Sequence, residues 1–333
     1  MTSSTRPWPP GAVTGIGSLP GDDPADTAAL VVGELPDLPH LAELPARGAG
    51  ADMIGRTAAL LVDLPVEIVP SGWRLAAHAG RDLRRARDFL AYDLDALEAA
   101  AAGAGALKTQ AAGPWTLAAH LELPNGHKVV SDPGATRDLA ESLAEGLAVH
   151  LADLSARVSG VQPVLQLDEP SVPAVLGGRV STPSGYGTIR SVEESVVEQT
   201  LAGVLAVAAA GARVVHSCGA DVPIELLRRA GADAISLDAS LLTQADFDAL
   251  GEAVDAGVSL WLGLLPSTDA AITLDTARGP LDRLWSQLGF PPALLARTVV
   301  PTPACGLAGA SPAYVRRALA LLRDLGKDMI DRQ

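Results

Sequence analysis

Short apolar runs alternate with amphipathic stretches along almost the whole chain. The first run spans residues 12–18, and a weaker one lies in the Pro-rich stretch 35–45. Later runs cover residues 107–110, 163–168, 213–216, 234–238, 258–262 and 298–300. Runs this short, bounded by turn residues, predict buried strands. Between them, Leu139, Leu143, Leu147, Leu151 and Leu154 recur at near-helical spacing and predict a helix with one apolar stripe. Ser191 and Glu194 have the spacing of a capping box opening the next helix. Ser311-Pro312 places a cap residue before a proline suited to the first helical position of the last one. About eight strand–helix repeats predict a (βα)8 TIM barrel, with a doubly wound open sheet as the alternative. No low-complexity linker or composition break divides the chain, so 1–333 is expected to be one domain with its barrel over roughly 12–325.

Composition narrows the class. Hydrophobic residues make up 48% of the chain but aromatics only 3%, and small or branched apolar residues suit strands covered by helices on both faces. A net charge of −14 argues against a nucleic-acid partner, which needs a basic surface. Two cysteines are too few for a disulfide scaffold and suit a reducing compartment. Residues 1–11 lack the apolar segment of a signal peptide, and the Ala/Val stretch 201–215 is broken by Arg213, too short for a membrane span. A cytoplasmic protein with no membrane partner is the expectation. The opening Gly15-Ile16-Gly17-Ser18-Leu19-Pro20 lacks the third glycine of a dinucleotide loop and has Pro20 where its helix should begin.

The chemistry concentrates where a barrel carries its site, at the carboxyl ends of the strands. Those ends supply Ser18, Gln110, Asp168, Glu169, His216, Cys218, Asp238 and Cys305. His216 and Cys218, two apart, can face the same side of an extended strand. With Cys305 they offer a nitrogen and two sulfurs, most of a zinc set. The alternative is two small buried cysteines and a satisfied core histidine. Asp238 is an acceptable fourth ligand, or a cap on the segment that follows. Asp168-Glu169, turned out of the strand by Pro170, can bind an amine, move a proton, or cap the next segment.

In their order along the chain, Gln166-Leu167-Asp168-Glu169-Pro170, His216-Ser217-Cys218 and Pro303-Ala304-Cys305-Gly306-Leu307 resemble the catalytic barrel of cobalamin-independent methionine synthases. Ile16-Gly17-Ser18-Leu19-Pro20 and Gly113-Pro114-Trp115-Thr116 also resemble motifs of that family, so the likeness spans nearly the whole chain. It implies a barrel related to uroporphyrinogen decarboxylase and a zinc ion on His216, Cys218 and Cys305. Asp238 stands where the family usually has Glu. It further implies homocysteine as substrate, its carboxylate on Ile16 and Ser18, its amino group on Asp168, and methyl transfer to its thiol to give methionine.

Three departures concern the donor and the amine. Leu264 replaces a histidine proposed to protonate the methylfolate leaving group, and Ala174 replaces a folate-contacting acid. The stretch 47–53 offers only Asp52 for the family's second amine-binding acid. Expelling a folate amine without a general acid is unfavourable, so a methylcorrinoid protein or another activated donor is expected rather than methylfolate. A decarboxylase of the same superfamily and a non-catalytic zinc- or thiol-binding protein are the alternatives. Few arginines at strand ends count against the decarboxylase. His40, His78, His120, His127 and His150 are expected mostly at solvated or helical positions.

Overall fold

A computed structural model describes residues 6–332, so residues 1–5 and 333 of the expected domain lie outside the described residues. A short antiparallel hairpin, β1 (Val66–Val69) with β2 (Gly72–Leu75), precedes a curled, parallel six-stranded sheet. Its strands are β3 (Ala106–Ala112), β4 (Gln162–Asp168), β5 (Ala212–Ser217), β6 (Ala234–Asp238), β7 (Ser259–Leu265) and β8 (Val299–Pro303). They pair in sequence order with no reversal, which removes the doubly wound alternative, because that fold needs a switch point in strand order. β3 and β7 are buried at every position, as strands covered on both faces must be. The hairpin escapes sequence reading because four-residue strands are too short for a period of two to stand out.

The first two expected strands are corrected. Residues 12–18 and 35–45 form no strands, only isolated bridges, Ser18 with Glu43 and His40 with Lys108. Thr14 N–H donates to Pro301 O at 3.3 Å, Glu43 N–H to Gly17 O at 3.1 Å, and Leu41 N–H to Lys108 O at 2.8 Å. The two segments therefore run along the sheet's edges, beside β8 and β3. Pro36, Pro39 and Pro45 have no N–H to give, and Gly15 and Gly17 add no side chain to a pleat, so a regular ladder is interrupted. What the sequence presented as eight strands is a six-stranded sheet edged by two irregular segments.

Helices cover the outer face, the longest being Pro133–Arg157. Leu139, Leu143, Leu147, Leu151 and Leu154 are all buried on it, as their spacing predicted. Ser311 caps the last helix, Pro312–Asp331, accepting from Tyr314 N–H. The Ser191–Glu194 box does not form: that helix, Glu194–Leu205, starts later, with Glu193 as its uncapped N-cap residue.

Inside the sheet, Trp8, Leu38, Ala106, Val164, Val214, Trp261 and Val300 pack together, the strand residues among them coming largely from the amino-terminal halves of their strands. Trp8 meets Trp261 edge-on at 5.2 Å between ring centres. One end of the sheet is thus filled with hydrocarbon, and polar side chains collect at the other. Among the described residues no helix is long and apolar enough to cross a membrane.

Candidate metal centre

β5 delivers His216 near its end, and Cys218 follows directly; Cys305 lies two residues beyond β8. The ligand atoms of His216, Cys218 and Cys305 all lie within 4.8 Å of one another, and the two sulfurs are 3.1 Å apart. His216 is buried, with Nδ1 2.9 Å from the Ser236 hydroxyl on β6. Its Nε2 is buried with no hydrogen-bond partner. A buried nitrogen left unpaired costs on the order of 1–3 kcal/mol, unless a metal takes its lone pair. If Nδ1–H donates to Ser236, Nε2 carries that lone pair, which is the form a metal requires.

The sulfurs are biased the same way. The hydrogen bond between them pulls the Cys305 thiol down to about 4, with His216 assisting against burial. The same bond, together with burial, pushes Cys218 well up. Two sulfurs and an imidazole nitrogen suit zinc, and three protein ligands match a site that keeps one position for substrate.

Asp238 is not part of this cluster. Its carboxylate accepts from Ser240 N–H at 2.9 Å and Ser240 Oγ at 2.7 Å, capping the 3-10 turn Ala239–Leu241. The capping role open to it from sequence is the one observed.

The cluster lines a cavity of about 260 Å3 that also touches Ile16, Ser18, Glu43, Met53 and Asp168. Ile16, Ser18 and Asp168 are therefore brought together with His216, Cys218 and Cys305. The Ile16 carbonyl is occupied: it accepts from Lys108 Nζ at 2.6 Å and Gln166 Nε2 at 2.9 Å. What Ile16 retains for a carboxylate is its N–H. Ser18 O accepts from Leu307 N–H at 2.7 Å, tying the first segment to the Cys305 loop. Gly306 leaves room beside it for the Ser18 hydroxyl, which a Cβ at that position would displace. Asp168 accepts from Gln166 Nε2 at 2.7 Å. Burial pushes its carboxyl up to about 7, against the pull of His216 and Lys108.

Glu43 was missed. It is buried in the cavity wall, accepts from Gln110 Nε2 at 3.0 Å, and burial raises its carboxyl. It closes the second apolar run just as Asp168 closes β4, but the prolines around that run hid the parallel. Asp52, the acid offered by the sequence, instead caps the helix Met53–Ala58 through Gly55 N–H at 2.9 Å.

Glu169 does not reach the cavity. It accepts from Trp115 N–H, Thr116 N–H and Thr116 Oγ at 2.8–3.0 Å, and Gly113 leaves it the room a Cβ would fill. The Gly-Pro-Trp-Thr turn is thereby locked to β4. Leu264 is buried in the core and Ala174 sits on the short helix Val172–Leu176; neither lines the cavity. His78, His120 and His127 are exposed, as expected. His40 is buried with both ring nitrogens unpartnered, and burial drives its pKa well below the usual histidine range.

Residues 11–328 match the family model described as the cobalamin-independent synthase, catalytic domain. Among solved structures, the chain is similar to a B12-independent methionine synthase from Shewanella sp. W3-18-1 in complex with selenomethionine. The two share 15% identity over 97% of this chain and 98% of that one, with a TM-score of 0.62. It is also similar to a methyltransferase from Methanosarcina mazei, at 15% identity over 96% and 94% of the two chains, with a TM-score of 0.58. At such identity these two likenesses speak for the fold alone. No curated protein matches the chain.

Proposed function

The chain belongs to the family of the cobalamin-independent methionine synthase catalytic domain, and from that premise we propose that it methylates the thiol of homocysteine to give methionine. Membership implies a methyltransferase; the acceptor, the zinc and the donor are our reading of the site. One observation carries it: His216, Cys218 and Cys305 line the same small cavity as Asp168 and Glu43. A homocysteine placed there would set its sulfur at the metal ligands and its ammonium against the two carboxylates. Its own carboxylate would meet the Ser18 hydroxyl and Ile16 N–H. Zinc bound on the three ligands would supply thiol acidification, which matters because a free thiol is only a few per cent thiolate at neutral pH.

The residues divide the remaining work. Ser236 orients His216, and the acids with Ser18 hold the substrate so that its sulfur lone pair faces the cavity mouth. There the sulfur–carbon bond forms as the donor's bond to the methyl group breaks, the bonding pair leaving with the donor. A zinc held by His216, Cys218 and Cys305 would leave room for substrate sulfur as a further ligand, Asp238 being bonded to Ser240 on its own turn. We also propose that the two irregular segments serve as the first two staves of a TIM-like barrel. A reducing cytoplasm goes with this reading, because sulfurs 3.1 Å apart that joined in a disulfide would be lost to a metal.

The donor is pulled two ways. Leu264 and Ala174 supply neither a proton nor a charged folate contact, which favours a methylcorrinoid, whose cobalt leaves without a proton. The family's description as cobalamin-independent favours a folate. The decarboxylase alternative loses ground because no arginine is among the residues lining the cavity.

The test is methionine formation by zinc-loaded protein with homocysteine, offered methylcobalamin or methyltetrahydrofolate in parallel. Methionine from either supports the acceptor half; methylfolate alone as donor overturns the corrinoid preference. Zinc-loaded protein that neither binds homocysteine nor makes methionine from any donor overturns the proposal.

A further inference from the structure

We infer that Lys108 is a positioning residue. From the interior of the sheet it orients two glutamine amides, and these aim Asp168 and Glu43 at the substrate's amino group. The inference rests on the reading above that the two acids receive an ammonium.

Lys108 lies on β3 and is fully buried. Its Nζ reaches Ile16 O at 2.6 Å, Gln166 Oε1 at 2.8 Å and Gln110 Oε1 at 3.2 Å. Three N–H donors thus meet three neutral acceptors, and no carboxylate is among them. An ammonium has no lone pair, so each amide must present oxygen to it and turn its NH2 group away. From Gln166, that NH2 reaches Asp168 Oδ1 at 2.7 Å. From Gln110, it reaches Glu43 Oε1 at 3.0 Å and Leu41 O at 2.6 Å. Two arms therefore leave one cation, and each ends on a carboxylate of the cavity.

Strand geometry makes the arms. Lys108 and Gln110 are two apart on β3, and Gln166 and Asp168 are two apart on β4, so each pair faces the same side. β3 and β4 are adjacent with Gln110 opposite Gln166, which brings both amides within reach of one ammonium. Burial pushes Lys108 down and the charges of Asp168 and Glu43 oppose that shift, the balance lying at about 7. The same NH2 groups also donate to Ile16 O at 2.9 Å and Leu41 O at 2.6 Å, so the ammonium shares the orienting of the amides with two backbone carbonyls. A flipped amide would turn its oxygen on the carboxylate and drive the acid out of position.

The experiment measures binding of homocysteine and of 4-mercaptobutyrate, which keeps thiol and carboxylate but lacks the amine. Zinc-loaded wild type, Lys108→Met, Lys108→Arg and Gln166→Met are compared by calorimetry, with zinc content and melting recorded for each. Wild type should prefer homocysteine. Lys108→Met should weaken homocysteine roughly tenfold or more, the scale of a charged hydrogen bond, and leave 4-mercaptobutyrate and zinc unchanged. Lys108→Arg, which keeps the charge, should restore part of the preference. Gln166→Met cuts one arm with Lys108 in place and should lose part of it, so the inference stays testable if Lys108→Met does not fold. A wild type without preference overturns the amine reading itself. A wild type with preference that Lys108→Met retains, or that Gln166→Met retains where Lys108→Met does not fold, overturns the positioning role alone.

Discussion

His216 holds one ring nitrogen against Ser236 and leaves the other buried and unpartnered. Removing the Ser236 hydroxyl takes away the hydrogen-bond partner of Nδ1, which would select the metal-binding tautomer by accepting from it. Ser236→Ala should weaken zinc about 10- to 100-fold, the usual scale for losing a partner of a ligating histidine. Competition with a chromophoric chelator measures this; wild-type affinity would remove Ser236 from the site. The clustering of His216, Cys218 and Cys305 was legible in the sequence because strand ends and the i, i+2 rule place them without any loop geometry. Asp238 was not. A carboxylate at a strand end can turn inward or cap the next turn, and only the conformation of Ala239–Leu241 decides between them.

At the scale of elements, the helix Pro133–Arg157 carries two contrasting tests. Gly146 sits where a Cβ would run into the backbone carbonyl of Leu60. Propensity alone favours alanine by about 1 kcal/mol. The clash is with backbone and cannot rotate away, so Gly146→Ala should instead destabilise by about 1–3 kcal/mol. Urea unfolding reads the sign directly. His150, four residues on, pairs with Thr109 Oγ on β3 at 2.9 Å. Burial, and secondarily Arg56, holds its pKa down at about 4 against the usual 6.5. The unfolded chain then binds the proton more readily between those values, so stability is full above about pH 6.5 and lost as pH falls toward 4. The loss amounts to about 3 kcal/mol. His40 adds to the loss with the same sign. His150→Gln should flatten this part of the stability–pH curve; an unchanged slope would assign the acid sensitivity elsewhere. The helix and its apolar stripe were readable from spacing, whereas Gly146 and His150 have meaning only through the neighbours that packing brings to them.

For the whole molecule, the ligand set joins the loop after β5 to the loop after β8, which are three strand positions apart in the sheet. A metal held there would crosslink the sheet and bind only the folded form, so zinc should raise the melting temperature in proportion to the logarithm of its concentration. Cys305→Ser should abolish that rise while leaving the metal-free melting temperature near wild type. A rise that survives the substitution would mean that the ion sits elsewhere. The same view explains which parts of the fold were legible. Most of the strands from β3 to β8 show as short apolar runs, as strands buried on both faces do, whereas β3 buries Lys108, Thr109 and Gln110. The two edge segments have similar composition, but prolines and glycines interrupt their ladders, and hydrogen bonds to distant strands define their course.

Taken by itself, the sequence determined where the sheet strands lie along the chain, the long helix and the three metal-ligand candidates, because each depends on period or on position within a single element. Tertiary structure alone decided that Glu43 rather than Asp52 joins Asp168, that Asp238 is spent on a turn, and that Lys108 governs two amides at once. Those outcomes depend on which atoms of separate segments share one cavity, and on where a buried donor must find its acceptor. Neither is written in the spacing of residues along the chain.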